Sequence, residues 1–330
     1  MSSLTDEERR SLKRSRQPRR LEPMKAVLTD QRFSDPEWIF ERKLDGVRAL
    51  AFRSPGDLRL LSRTGKRLNS SYPEVVEALE GEPCQEFVAD GEIVAFSGRV
   101  TSFARLQGRM QITDPERARR TGIAVYLYLF DLLHLDGHDT TALPLRARKV
   151  LLRRALSFQG PVRFLSHRNA EGEALFEQAC RRGLEGLIAK RAMSAYVSAR
   201  SGDWLKFKCS RQQELVIGGF TAPKGERTDL GALLVGYYED GDLRYAGKVG
   251  TGFDQRTLAE LGRRLRKLER EEPPFAEVHP VPKGTRWVEP KLVGQFAFTE
   301  WTRDRRLRHP RYLGLRRDKR PREVVRETAS

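Results

Sequence analysis

The sequence predicts an α+β fold in two parts, and three observations carry the prediction. From Pro23 to about Lys208, short strand-like runs alternate with a few helical ones. The polar clusters in that stretch sit beside the strand-like runs, so chemistry lining a sheet is expected. From about Gln213 the texture changes to short strands separated by glycine turns, with one helix among them.

The elements follow in order. Residues 1–20 hold Arg9, Arg10, Lys13, Arg14, Arg16, Arg19 and Arg20 among few apolar residues, which predicts a disordered basic arm. Strand-like runs follow at Trp38–Phe40, Val47–Phe52, Leu58–Leu61, Phe87–Phe96 and Ala124–Phe130. Helical periodicity appears at Arg146–Leu156 and Glu173–Arg182, then strands at Gly186–Lys190 and Trp204–Phe207. Residues 21–212 are read as one domain and 213–330 as a second. The second holds strands at Glu214–Phe220, Ala232–Tyr238, Leu243–Val249 and Leu292–Thr299, a helix over about Gln255–Glu271, and a proline-rich loop over Pro273–Pro282. Its pattern fits a small β-barrel of the oligonucleotide-binding (OB) type, and a small sandwich equally.

Composition bounds the function. Lys plus Arg is 62 and Asp plus Glu is 45, a net charge of +17 that favours a polyanionic partner, nucleic acid before an anionic membrane. No apolar run spans a bilayer and the N-terminus lacks the apolar centre of a signal peptide, so a cytoplasmic location is expected. Cys84, Cys180 and Cys209 show neither zinc spacing nor a disulfide framework and are expected to be reduced and buried. No P-loop or glycine-rich kinase loop is present.

The sharpest local signal is Glu41-Arg42-Lys43-Leu44-Asp45-Gly46-Val47-Arg48. It reads as a lysine on a strand, a tight Asp-Gly turn and an arginine on the returning strand. A pocket holding Mg²⁺ and other cations would depress the lysine pKa and free its lone pair; an ordinary hairpin with a surface lysine fits the segment as well. Further on come Ser62-Arg63-Thr64-Gly65-Lys66, Asp90-Gly91-Glu92, Phe130-Asp131-Leu132-Leu133, Glu185-Gly186-Leu187-Ile188-Ala189-Lys190, Trp204-Leu205-Lys206-Phe207-Lys208 and Arg316-Arg317-Asp318-Lys319.

With these elements in this order the chain resembles the covalent nucleotidyltransferases: DNA ligases, RNA ligases and capping enzymes. Within them it is most similar to ATP-dependent DNA ligases of the bacterial ligase D type. Pro23-Met24, Tyr72-Pro73-Glu74, Gly247-Lys248-Val249-Gly250-Thr251-Gly252, Trp287-Val288-Glu289-Pro290 and Phe298-Thr299-Glu300-Trp301 carry that closer resemblance. Leu44 and Val47 depart from the aromatics common there, and Arg42 from an apolar residue. The resemblance implies an ATP-grasp-like nucleotidyltransferase (adenylation) domain followed by an OB-fold domain.

It also implies roles. Lys43 would take AMP from ATP, with Asp45, Arg48 and Lys319 completing the catalytic set. Glu41, Arg48, Arg63, Glu92, Phe130, Lys190, Lys206 and Lys208 would bind the nucleotide: Phe130 by stacking on adenine, Arg63 by a bidentate fork on phosphate. Glu92 and Glu185 would hold Mg²⁺ or Mn²⁺, hard cations that prefer carboxylate oxygens. Asp318 and Lys319 would close over ATP from the second domain. Nicked or broken double-stranded DNA, ATP and a bacterial Ku end-binding protein are the implied partners, and a stand-alone minimal ligase is expected. An RNA ligase, a GTP-using capping enzyme and a non-catalytic DNA-binding module are the competing readings.

Overall fold

In the computed structural model, residues 4–110, 112–209, 211–223, 229–278 and 280–327 are described. The ends of the expected arm (1–3) and of the expected second domain (328–330) lie outside them. The described residues divide into two compact units, one running up to Cys209 and the other from there to Glu327.

The first unit is built on two sheets. The larger runs β1 (Lys13–Arg14), β9 (His138–Asp139), β8 (Val125–Leu135), β6 (Phe87–Ser97), β4 (Val47–Ser54) and β5 (Asp57–Ser62). β10 (Val162–Phe164) also pairs with β8, and β7 (Val100–Thr101) with β6. The smaller runs β11 (His167–Asn169), β3 (Trp38–Arg42), β12 (Gly186–Arg191), β13 (Arg200–Lys208) and β2 (Lys25–Leu28).

Strand alternation sorts the side chains. Val47, Ala49 and Ala51 of β4 enter a core shared with helices α2 (Pro73–Glu80), α3 (Phe103–Met110) and α5 (Leu145–Ala155). Leu50 and Phe52 point the other way, into a second cluster that also takes Phe130 from β8 and Trp204 from β13 of the smaller sheet. The far face of the smaller sheet packs Phe40, Leu187 and Phe207 against α6 (Gly172–Arg181). The last helix of this unit before α5, α4 (Pro115–Arg120), starts at an Asp114 side chain that caps Arg117 N–H.

Three expectations are corrected here. The N-terminal segment is not disordered over its described part: Thr5 and Glu8 form a capping box on α1 (Asp6–Ser11), β1 pairs with β9, and Gln17 donates to Arg53 C=O at 2.5 Å. Leu4, only 4% exposed, anchors this segment in the core, a contact that the charge run conceals. The Lys43 segment is not a hairpin, because β3 and β4 belong to different sheets and the chain crosses between them. Cys180 and Cys209 form a disulfide with Cα atoms 5.2 Å apart. Sheet order, not spacing, brings the end of α6 beside the end of β13.

The second unit is a six-stranded antiparallel sheet: β16 (Asp242–Val249), β15 (Leu233–Glu239), β14 (Arg211–Thr221) and β18 (Thr285–Phe298), whose other edge takes β17 (Glu269–Arg270) and then β21 (Arg311–Arg316). Bulges between Ile217 and Gly219, Val235 and Gly236, and Gln295 and Phe296 curl it. Leu258, Leu261 and Leu265 of α7 (Gln255–Arg266) line its core. The helix stops five residues before the expected Glu271, because Glu269–Arg270 pairs with β18 instead. β19 (Glu300–Trp301) and β20 (Leu307–Arg308) form a separate ladder.

Candidate active site

Register in the smaller sheet assembles most of the predicted residues. Glu41 pairs with Ile188, Lys190 with Trp204, Ile188 with Lys206 and Gly186 with Lys208. Lys43 N–H donates to Gly186 C=O at 2.9 Å, extending β3 one residue past its end. Glu41, Lys43, Lys190, Trp204, Lys206 and Lys208 therefore share one face. On the larger sheet Arg48 pairs with Glu92, which pairs with Tyr128, two residues from Phe130.

The crossover at Lys43 is pinned on both sides. Asp45 N–H donates to Thr101 Oγ1 at 3.1 Å, and Asp45 Oδ2 accepts from Phe103 N–H at 3.1 Å at the start of α3. Gly46 passes so close to β6 that an added Cβ would lie 2.1 Å from Ile93 C=O, which is why the motif has glycine there. Gly186, at φ +144°, would place a Cβ 1.8 Å from Phe207 C=O.

Lys43 Nζ donates to Glu185 Oε1. Burial pulls the Lys43 pKa down, but Glu185, Asp45 and Glu92 together leave it raised. Acidic groups surround the amine, and the depression expected of a cation-holding pocket would need those cations to offset them. Glu185 Oε2 is buried with no hydrogen-bond partner.

Glu41 and Lys190 are both buried and paired with each other. Glu41 is 1% exposed and spends both oxygens on lysines: Oε1 lies 2.5 Å from Lys149 Nζ and Oε2 2.7 Å from Lys190 Nζ. Lys190 is equally buried, with its ammonium 4.2 Å from the Phe130 ring centre and 4.0 Å from that of Trp204. Burial pushes its pKa down to about 8, Lys149 adding to the effect and Glu41 opposing it. Arg48 lies over the Phe130 ring at 4.7 Å and forks onto Asp90. Asp131, the other acid of that strand pair, is held by Arg148 at 2.7 and 3.0 Å. Arg63 is half-buried in the turn after β5, where Gly65 N–H donates to Ser62 C=O at 2.8 Å.

Lys319 belongs to the second unit. Its ammonium lies 2.9 Å from Glu214 Oε1, and its neighbour Asp318 is gripped by Arg316 at 2.9 and 2.7 Å.

Sequence reasoning gave no role to Lys149, Asp90 or Tyr196. Lys149 was detectable: it lies on the apolar face of α5 with Leu145 and Leu152, a position where a lysine needs a buried partner. Tyr196 offered no signal, since its partners come from distant strands.

A sequence profile for the "ATP dependent DNA ligase domain" matches residues 22–208, and one for the "ATP dependent DNA ligase C terminal region" matches residues 226–319. The chain belongs to the ATP-dependent DNA ligase family. The matched regions are a nucleotidyltransferase domain followed by the family's OB-fold domain. It is 38% identical over 300 residues to the multifunctional non-homologous end joining protein LigD of Pseudomonas aeruginosa, covering 88% of this chain and 35% of that one. The DNA repair protein LigD of Mycobacterium tuberculosis (H37Rv) is 38% identical over 299 residues, with 88% and 38% covered. The chain thus spans little more than a third of the length of these relatives. A solved structure of mycobacterial DNA ligase D, complexed with ATP and MES, is similar at 35% identity and a TM-score of 0.65, covering 93% of this chain and 98% of that one. Among the described residues no helix is long and apolar enough to cross a membrane.

Proposed function

We propose that the chain seals 5′-phosphate/3′-hydroxyl breaks in double-stranded DNA through a Lys43–AMP intermediate, in end-joining repair. The observation that carries the reading is the placement of Lys43. It is fixed at a crossover between two sheets, opposite Glu185, with Lys206 and Lys208 on its own sheet face.

In the first step the Lys43 amine loses a proton, for which Glu185 Oε1 is the acceptor within reach. Its lone pair then forms a P–N bond to the α-phosphorus of ATP as the bond to pyrophosphate breaks. In the second, a 5′-phosphate oxygen displaces the lysine, giving a 5′–5′ pyrophosphate linkage. In the third, the 3′-hydroxyl attacks that 5′-phosphate and AMP leaves. Arg63, Lys206 and Lys208 supply positive charge to the phosphates, Phe130 a flat surface for the base, and Arg48 a donor for the ribose or nick terminus. Lys319 orients the leaving pyrophosphate.

The buried, partnerless Glu185 Oε2 suits a hard divalent cation, and Glu185 with Glu92 would hold Mg²⁺ or Mn²⁺. When bound, such an ion neutralises phosphoryl charge. The end-joining assignment follows the names of the LigD relatives; a bacterial Ku protein as partner and the cytoplasmic nucleoid as location are what the ligase D resemblance adds to the proposal.

The test is a chase. Protein labelled with α-phosphate-labelled ATP and Mg²⁺ should lose the label to nicked DNA and seal it, faster than nicked RNA. Label that nicked DNA does not discharge would overturn the reading. Nick binding should also weaken steeply between low and moderate salt, as +17 charge requires.

A further inference from the structure

Arg48 is held by more than its own strand. Its Nε donates to Asp90 Oδ1 at 2.5 Å and its Nη2 to Oδ2 at 2.6 Å, and Nη2 reaches the Met24 carbonyl at 3.2 Å. Tyr196 closes the group. Its hydroxyl donates to Asp90 Oδ2 at 2.7 Å and accepts from Met24 N–H at 2.8 Å. One carboxylate and one peptide carbonyl thus hold the guanidinium, and the phenol ties that carboxylate to the same Met24 residue.

The pieces come from separate parts of the unit. Arg48 and Asp90 lie on β4 and β6 of the larger sheet, Tyr196 on the loop between β12 and β13 of the smaller, and Met24 just before β2. The phenol has little freedom: its ring meets Trp204 edge-on at 5.8 Å and its backbone N–H donates to Thr141 C=O at 2.8 Å. Asp90 and Met24 are fully buried and Tyr196 nearly so, so no water replaces a lost partner cheaply. Burial, reinforced by the Asp90 charge, keeps the phenol protonated and therefore a donor.

We infer that Tyr196 is a positioning residue for Arg48, fixing Asp90 and the Met24 peptide so that the guanidinium is aimed at the nucleotide before it binds. The inference rests on the reading of Arg48 as a nucleotide-binding group. Tyr196 itself reaches no reacting atom.

A double-mutant cycle separates positioning from bulk stability. The full chain, Tyr196→Phe, Arg48→Lys and the double variant are compared in single-turnover adenylation at sub-saturating ATP, with thermal melts alongside. Tyr196→Phe removes one oxygen and keeps the ring, and should slow adenylation roughly ten-fold, the usual scale for a hydrogen bond to a charged group. In the Arg48→Lys background the same change should add less than about two-fold, since its target is already gone. Tyr196→Phe within about two-fold of wild type, or losses that multiply in the double variant, would overturn the inference. Asp90→Asn, which keeps the shape and breaks the ion pair, gives a second arm: Tyr196→Phe should add little on it, and full additivity there would also overturn the inference. If the wild-type chain takes no AMP at all, the ligase reading fails instead, independently of Tyr196.

Discussion

Replacing Lys149 by methionine removes an ammonium from the centre of the first unit. Lys149 Nζ reaches Glu41 Oε1 at 2.5 Å, Leu165 C=O at 3.1 Å and Phe130 C=O at 3.3 Å, and the side chain is 2% exposed. Methionine has a similar volume, so the loss is electrostatic rather than a cavity. Removing one partner of a buried ion pair costs about 3–5 kcal/mol, because the other charge is orphaned. Glu41 keeps Lys190 at 2.7 Å, which argues for the lower end, while two carbonyls each lose a donor worth about 1 kcal/mol. The expected cost is about 3–4 kcal/mol. Glu41→Gln in the Lys149→Met background removes the orphaned charge and should recover about half of it. Denaturant melts of the three variants, followed by tryptophan fluorescence, give the numbers. A cost below about 1 kcal/mol for Lys149→Met, or a further loss on adding Glu41→Gln, would refute the ion-triad reasoning.

Lys190, with a folded pKa of about 8 against 10.5 for the free side chain, binds fewer protons folded than unfolded between those values, so its contribution to stability rises with pH across that window. The stability gap between wild type and Lys190→Met should shift in favour of wild type from pH 8 to pH 10, and no shift would contradict the burial effect. The Cys180–Cys209 bridge closes a 29-residue separation, which corresponds to about 3–4 kcal/mol of chain entropy, so dithiothreitol should lower the melting temperature of wild type but not of Cys180→Ser. Lys319→Ala should slow adenylation of Lys43 far more than sealing of a pre-adenylated nick, and equal losses in both would remove the pyrophosphate role.

Much of the fold was legible because periodicity and register are local properties. The alternation Trp204, Lys206, Lys208 places three side chains on one face, and the pairing of Lys190 with Trp204 puts a fourth beside them. What stayed hidden depends on tertiary proximity. Nothing in Glu41–Arg48 says that β3 and β4 part into different sheets, so the segment looked like a hairpin. The ion triad needs α5 to lie against β3, and the Arg48 group needs Tyr196 to arrive from a loop 106 positions beyond Asp90. Likewise the acids Glu185, Asp45 and Glu92, scattered along the sequence, act together on the Lys43 amine only in the fold.

Intact-mass spectrometry followed by peptide mapping addresses the core of the account most directly. After incubation with ATP and Mg²⁺, one AMP should be found per chain, on the peptide containing Lys43, and Lys43→Arg should carry none. An unmodified wild-type chain, or an adduct that persists in Lys43→Arg, would contradict it.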